Sequence, residues 1–200
     1  MPTIICGNSE DEAVPTHWRV TFFLVALQPG PTQSFSMAKI LIGNLIRQLQ
    51  ELQEGSRWFD QSFREKIGGL TAAEAFARPH PDLHSVAEQV SHIIEWRKEA
   101  LRRFEGWRTE LMHGPDDWKD NSLLQAEGWP QLLQALYAST GQLIHALEEE
   151  DDDYLETPFL NEGYPFHAII EGIIQHDLYH LGQIGIVLSL LRKPPSASTS

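Results

Sequence analysis

Two hundred residues are enough for one domain with a sizeable hydrophobic core, and an apolar fraction of 42% beside 22% charged residues is ordinary for a globular protein. The formal net charge of −13 disfavours binding to nucleic acid or anionic lipid, because both are themselves negatively charged. The only cysteine, Cys6, cannot form an internal disulfide, and the apolar run at 22–27 is too short to span a bilayer. We therefore expect a cytoplasmic, soluble protein that binds neither nucleic acid nor a membrane.

The first 36 residues are rich in Pro, Gly and Thr and lack a helical hydrophobic pattern. We expect a disordered or weakly structured N-terminal extension over residues 1–36. One hypothesis is that Met37 is the biological start and that the preceding segment is an upstream extension. The alternative is a poorly ordered natural tail.

The first helix is predicted from Ile40, where apolar residues begin to recur at three- and four-residue steps. This spacing is the pattern of an amphipathic helix. We expect the helix to continue past Trp58 and to end near Phe63. A glycine pair at 68–69 excludes any further continuation of this helix. Residues 71–74 then have the capping-box spacing of a short helical turn.

A second long helix is predicted to begin after Ser85, because Ser85 and Glu88 have the spacing of a capping box. Gly106 is expected to end it. A loop of about twenty residues follows, carrying Trp107 and Trp118, and loops of this length are usually functional or covering elements.

The third and fourth helices are predicted from Trp129 and from Pro165, since proline is tolerated at helix starts. The acidic run at 148–153 is interpreted as a solvated helix end, with a metal-binding tract as the less favoured alternative. The fourth helix is expected to end at Leu191, before a proline pair at 194–195.

The fold class that these elements predict is all-α, a four-helix bundle over residues 37–193 followed by a disordered tail at 194–200. Amphipathic helices of this number can bury their apolar faces only against one another. We find no strand pattern and no internal repeat.

The chemistry-bearing motif is a histidine pair, His176 and His180, in the fourth helix. Residues four apart share one helix face, so the two imidazoles can share a cation. Both interrupt the apolar stripe that faces the core, and buried imidazoles need partners. A pair of core histidines bonded to neighbouring protein groups is the alternative.

A third ligand is expected from another helix, because metal sites in bundles are built from facing helices. His92 is the preferred candidate, since it lies in the middle of the second helix beside its apolar stripe. The alternatives that the spacing leaves open are His84, His145 and His167.

The chain from about Met37 to Leu191 resembles the DinB-like (YfiT-like) superfamily, whose members are four-helix bundles proposed to be metalloenzymes. The resemblance rests on the helix start at Trp129 and on three segments, Leu-His-Ser-Val at 83–86, Val-Ser-His-Ile-Ile-Glu-Trp at 90–96 and, above all, His-Asp-Leu-Tyr-His-Leu-Gly-Gln-Ile at 176–184. It implies a metal triad of His92, His176 and His180. The first 36 residues have no counterpart in it.

A triad of neutral imidazoles leaves a coordination position open, as in catalytic sites. The reacting group is then either a metal-bound water or a substrate thiolate. The resemblance implies thiol-dependent transferase or isomerase chemistry. A hydrolase that uses the water, and a non-catalytic metal-binding stress-response bundle that acts through a partner, are the alternatives.

Binding affinity favours zinc, nickel or copper, with manganese and iron as further candidates, and we expect zinc. Asp177, Glu95 and Gln183 are candidate outer partners of the ligating imidazoles. Tyr179 and the six tryptophans are interpreted as packing residues rather than substrate contacts. The expected partner is a small-molecule substrate, with a low-molecular-weight thiol supplied from outside, and a homodimer is plausible.

Overall fold

The computed structural model describes residues 39–55, 58, 61–107 and 110–192, so the predictions for 1–36 and 194–200 lie outside the described residues. The described residues contain eight helices and no strand, apart from one isolated bridge between Pro158 and Pro165. The all-α prediction is confirmed, with more helices than the four expected. The helices are α1 (Ile40–Glu54), α2 (Phe63–Ile67), α3 (Ala72–Phe76), α4 (Val86–Phe104), α5 (Asn121–Glu127), α6 (Trp129–Glu148), α7 (Asp152–Glu156) and α8 (Phe166–Leu191).

The four long helices α1, α4, α6 and α8 pack in a ring. Helices α4 and α1 each contact both α6 and α8, so every long helix lies between two others. The apolar stripes predicted from the sequence face inward and form one continuous core, with Leu45, Ile93, Leu136 and Ile184 each at most 1% exposed. Burial of these stripes is the main driving force for the arrangement.

Local capping signals set most helix starts. The capping boxes predicted at Ser85 and Thr71 are both present, and Ser62 forms a third one at the start of α2. The prediction that the first helix continues to Phe63 is wrong. Helix α1 ends at Glu54, because Gly55 adopts a φ of 131°, which is incompatible with continued helix.

The acidic run at 148–153, predicted to be a solvated helix end, also supplies side chains that cap two helices. Asp151 caps α7, and the Asp152 carboxylate accepts hydrogen bonds from the backbone N–H groups of Ile40, Leu41 and Ile42 at 2.7, 2.9 and 3.0 Å. Helix α1 has no capping side chain of its own, so a carboxylate from a distant segment satisfies its first turn.

The long connection after α4 is partly helical, since it contains α5, which packs against α4 and α6. It places Asp117, 6% exposed, and Trp118 against the His92 side chain of α4. The loop therefore covers the part of α4 that carries His92, in line with the expectation of a functional or covering element. Within the described residues, no helix combines the length and the apolar character that crossing a membrane requires.

Candidate metal centre

Two helices of the bundle bring three histidines together. His92 projects from α4, and His176 and His180 project from successive turns of α8. One ring nitrogen from each residue lies within 4.8 Å of the corresponding nitrogen of the other two. His92 and His180 are buried, at 6% and 4% exposed, whereas His176 is partly open to solvent. The three residues predicted from the sequence thus converge, and their role as metal ligands stays a prediction.

The spacing of the rings suits a shared cation. The Nε2 atoms of His92 and His176 are 3.0 Å apart. Two nitrogens bound to one zinc at tetrahedral geometry are about 3.4 Å apart, since each bond is about 2.1 Å long. The ligating nitrogens of all three residues lie within 4.8 Å of one another. A change in ring orientation would bring the longer of these distances to the value expected around one zinc.

The tautomer of His92 is fixed by the loop that follows α4. Its Nδ1 lies 2.7 Å from the backbone carbonyl oxygen of Asp117 and 3.1 Å from the Asp117 Oδ1 atom. A carbonyl oxygen only accepts hydrogen bonds, so Nδ1 carries the hydrogen and donates it. Nε2 therefore keeps its lone pair and points at His176, which is the state that a metal ligand requires.

Asp117 is the outer partner that sequence reasoning missed. Its Oδ1 atom also accepts from the Trp96 indole at 3.0 Å, and its Oδ2 accepts from the His113 backbone N–H at 3.1 Å. It is 25 residues from His92 in the chain, and no local spacing rule connects a loop carboxylate with a helical histidine. Its position in the long tryptophan-bearing loop was the only available signal.

Asp177, one of the predicted outer partners, is fully buried rather than on the surface. Its Oδ2 accepts from Nε and Nη2 of the equally buried Arg97, at 2.9 and 2.8 Å. Its Oδ1 lies 3.9 Å from Nδ1 of His176, and neither atom has a hydrogen-bond partner among the described residues. A slight rotation of the His176 ring would join them, and Nε2 would then be the ligating nitrogen.

The other two predicted outer partners differ from each other. Glu95 is bound by the ammonium groups of Lys98 and Lys119 at 3.0 and 2.8 Å, and these contacts lower its pKa despite burial, which raises it. Gln183 is half-buried, and its interaction with the His180 side chain acts to raise the pKa of His180. Gln183 is thus a neighbour of the triad, whereas Glu95 forms ion pairs with two lysines instead.

Burial favours the neutral form of two of the three imidazoles, His92 and His180. The pKa of His180 is lowered to about 4, first by burial and then by the nearby His176 and His92 rings. Burial is also the largest cause of the lowered pKa of His92. A neutral ring exposes a lone pair at pH 7, so protons compete weakly with a metal at these two positions.

Two tryptophans enclose the triad. Trp118 stacks on the His92 ring with a centroid distance of 3.9 Å, and its other stacking neighbour is His84 at 3.8 Å. Trp96 lies against His176 at 5.6 Å. These ring contacts restrict the orientations of the imidazoles, a closer involvement in the site than the packing role expected from the sequence.

The alternative third ligands are not part of the cluster. His84 is separated from His92 by the Trp118 ring, with which both stack. His145 is largely exposed and lies 4.0 Å from Glu149, and His167 lies between the carboxylates of Glu156 and Glu171. Within the described residues, the group of three that can hold a metal is the one containing His92.

A cavity of about 510 Å³ opens beside the triad between α4 and α8. His176 and Trp96 form one end of its lining, and Arg103 and Tyr164 are also part of it. Its volume is within the range of small-molecule sites. The arrangement therefore combines a candidate metal centre with space for a substrate next to it.

One of the comparisons with known proteins found a match. The family model of the DinB superfamily matches residues 58–184, which is more than half of the chain. The matched segment includes His92, His176 and His180, as well as the Asp117 loop. Comparison with curated proteins and with solved structures found no match.

Proposed function

Because the chain belongs to the DinB superfamily, we propose that it is a metal-dependent enzyme that transfers a low-molecular-weight thiol to a small electrophile. His92, His176 and His180 would hold one divalent metal, with zinc as the preferred ion and nickel, copper, manganese or iron as alternatives. The observation that carries this proposal is the convergence of three imidazoles beside a cavity.

The chemistry that such a metal supplies is positive charge, which lowers the pKa of a thiol so that the reactive thiolate exists at neutral pH. The residues of the chain hold and orient the reactants. Asp117 keeps the His92 ring in the tautomer that can bind a metal, and Trp118 and Trp96 pack against the rings of His92 and His176. In the transfer, the thiol loses its proton to solvent, its sulfur bonds to the electrophilic carbon, and the leaving group departs with the electron pair of the bond that breaks.

Thiol transfer is favoured over hydrolysis by the state of the surrounding carboxylates. Hydrolysis benefits from a carboxylate free to accept a proton from the attacking water. Asp117 is bound to Trp96 and His113, and Glu95 is bound to lysines. Asp177 binds Arg97 through Oδ2, whereas its unpartnered Oδ1 lies 3.9 Å from the His176 ring and Asp177 is not part of the cavity lining. Attack by a thiol that has already lost its proton to solvent needs no such base. Hydrolysis remains the second candidate, since the same triad serves it.

A non-catalytic metal-binding role is the third candidate. The cavity beside His176 disfavours a non-catalytic role, because a protein that only stores or senses a metal needs no apolar space of this volume next to the metal. The small-molecule substrate, the homodimer and the cytoplasmic location stay predictions.

The test begins with the metal. Elemental analysis of the purified protein should find about one divalent ion per chain, and the His180→Ala variant should lose it because two ligands hold a metal weakly. His145→Ala is the matched control, since this histidine is exposed on α6 and distant from the triad. Retention of the metal by His180→Ala would contradict the assignment of the site.

Activity is tested with chlorodinitrobenzene and a panel of low-molecular-weight thiols, followed by absorbance. We expect conjugation that His180→Ala and chelation abolish and that His145→Ala preserves. Ester cleavage without thiol would favour the hydrolase, and a fully loaded protein with neither activity would favour the binding role.

Metal binding should also raise stability, since an ion that binds only the folded state shifts the folding equilibrium by mass action. At zinc concentrations one hundred times the dissociation constant, the gain is about 3 kcal/mol. The measurement is the melting temperature before and after chelation. An unchanged melting temperature after confirmed metal removal would place any bound ion outside the core.

A further inference from the structure

The cavity beside the triad has an apolar middle section. Ala100 of α4 and Ile169, Gly172 and Ile173 of α8 form its walls. Gly172 lies on the cavity side, and a Cβ atom added there would meet nothing within 4 Å. Because Ala100 and Gly172 are small, no side chain fills the space between the two helices at this point. The space therefore suits an apolar ligand.

The end of the cavity remote from His176 is polar. Arg103 and Tyr164 lie there, and the Arg103 Nη1 atom donates to the Tyr164 hydroxyl at 2.9 Å. Because that hydroxyl oxygen accepts from Arg103, its own hydrogen is available to donate to a ligand. The guanidinium is held in place by Glu99, at 2.9 Å from Nε, and lies 5.7 Å from the Phe159 ring centroid.

The two ends are separated by the length of a small molecule. His176 and Ile169 are seven residues apart on α8, which corresponds to about 10 Å along the helix. Trp96 and Arg103 have the same spacing on α4. A ligand that fills the cavity therefore reaches from the triad to the guanidinium.

We propose that this cavity binds a largely apolar substrate that carries a carboxylate at the end remote from the triad, where Arg103 and Tyr164 receive it. This inference rests on the proposed function, since it names the class of electrophile that the metal centre would act on. A rigidly held guanidinium and a hydroxyl donor form the fork that carboxylate oxygens accept from.

Glu99 also belongs to the cavity lining, but its negative charge is paired within the cluster and does not prevent this role. Its carboxylate lies between two guanidinium groups, 2.9 Å from Arg103 and 3.7 Å from Arg102, so the three side chains together carry a net positive charge. Glu99 binds Nε of Arg103. The Arg103 Nη1 atom donates to the hydroxyl of Tyr164, and both Arg103 and Tyr164 belong to the cavity lining.

The experiment measures binding rather than turnover. Phenylbutyrate and its neutral amide are titrated into the zinc-loaded and the chelated protein by calorimetry. We expect the carboxylate to bind about tenfold or more tightly than the amide, because it gains charge-assisted hydrogen bonds. This preference should persist after chelation, since it arises at Arg103. A preference that disappears with the metal would place the carboxylate on the metal and overturn the inference.

Two pairs of variants locate the ligand. Arg103→Met should abolish the preference for the carboxylate, whereas Arg47→Met, an equal charge change at an exposed position of α1 outside the cavity lining, should retain it. Gly172→Leu should weaken both ligands by at least about tenfold by filling the cavity, and Gly141→Leu on α6 should not. Unchanged binding in Gly172→Leu, or an unchanged preference in Arg103→Met, would overturn the inference.

Zinc content separates this inference from the proposed function. Each variant is expected to retain about one zinc, because none of the substituted residues belongs to the triad. Loss of ligand discrimination with zinc retained is a result about the cavity. Absence of zinc from the wild-type protein, with ligand binding intact, would be a failure of the proposed function alone.

Discussion

Helices α4 and α8 hold two buried polar clusters about one turn apart, and the clusters differ in how their hydrogen-bonding capacity is met. In the first, Arg97 donates to Asp177, to the Leu136 carbonyl oxygen and to the hydroxyls of Ser139 and Thr140. In the second, three imidazoles point their nitrogens at one another. The first cluster satisfies its guanidinium from the protein, whereas the second concentrates acceptors that a cation would satisfy.

This difference distinguishes a structural polar cluster from a functional one. A buried guanidinium with every direction bonded rigidifies the fold, and removal of its partner leaves a charge without compensation. A cluster of neutral imidazoles costs less to bury and offers lone pairs. The two clusters meet at Asp177, which binds Arg97 and lies 3.9 Å from the His176 ring.

The largest effect is expected at Arg97. Arg97→Met leaves Asp177 buried without its partner and should lower the free energy of unfolding by about 3–5 kcal/mol. The measurement is urea unfolding of the chelated protein. The double variant Arg97→Met with Asp177→Leu should recover most of this loss, and His180→Leu should cost far less than Arg97→Met. Equal losses in Arg97→Met and His180→Leu would remove the distinction between the clusters.

The next effect concerns pH. Burial lowers the pKa of His180 from 6.5 to about 4, so the unfolded chain binds a proton in this interval and the folded protein does not. Stability is therefore fully present above pH 6.5 and falls as the pH decreases towards 4. Between pH 6.5 and 5 the free energy of unfolding of the chelated protein should fall by about 2 kcal/mol. His180→Leu should reduce this slope and leave the contribution of His92, whose pKa is also lowered, whereas His145→Leu should preserve the full slope. The same slope in both variants would exclude His180 as a source.

The smallest effect is expected at Asp117. Asp117→Asn keeps an acceptor near Nδ1 of His92 but removes the charge, and should weaken zinc binding by about tenfold. Asp116→Asn is the matched control, because the neighbouring carboxylate is exposed and lies 3.7 Å from Lys119. Competition with a zinc-binding dye measures both. Equal zinc affinity in the two variants would show that the loop acts on His92 only through its backbone carbonyl oxygen.

Much of the fold follows from local rules. The capping boxes at Ser85 and Thr71, the start at Trp129 and the fourth helix up to Leu191 are where the sequence predicts them. The error at the first helix arose because its apolar residues continue past Gly55, while the conformation of that glycine ends the helix. The capping of α1 by Asp152 lay beyond local reasoning, because 110 residues or more separate the partners.

The sequence alone determined which helices form and that His176 and His180 share a face of α8, because capping, helical periodicity and i, i+4 spacing depend on neighbours in the chain. The tertiary structure decided that His92 meets them, that Asp117 sets its tautomer, and that Arg103 lies at the far end of the cavity. These relations depend on how α4 and α8 pack and on where the following loop folds back. Packing is a property of the whole core, so no short segment encodes it.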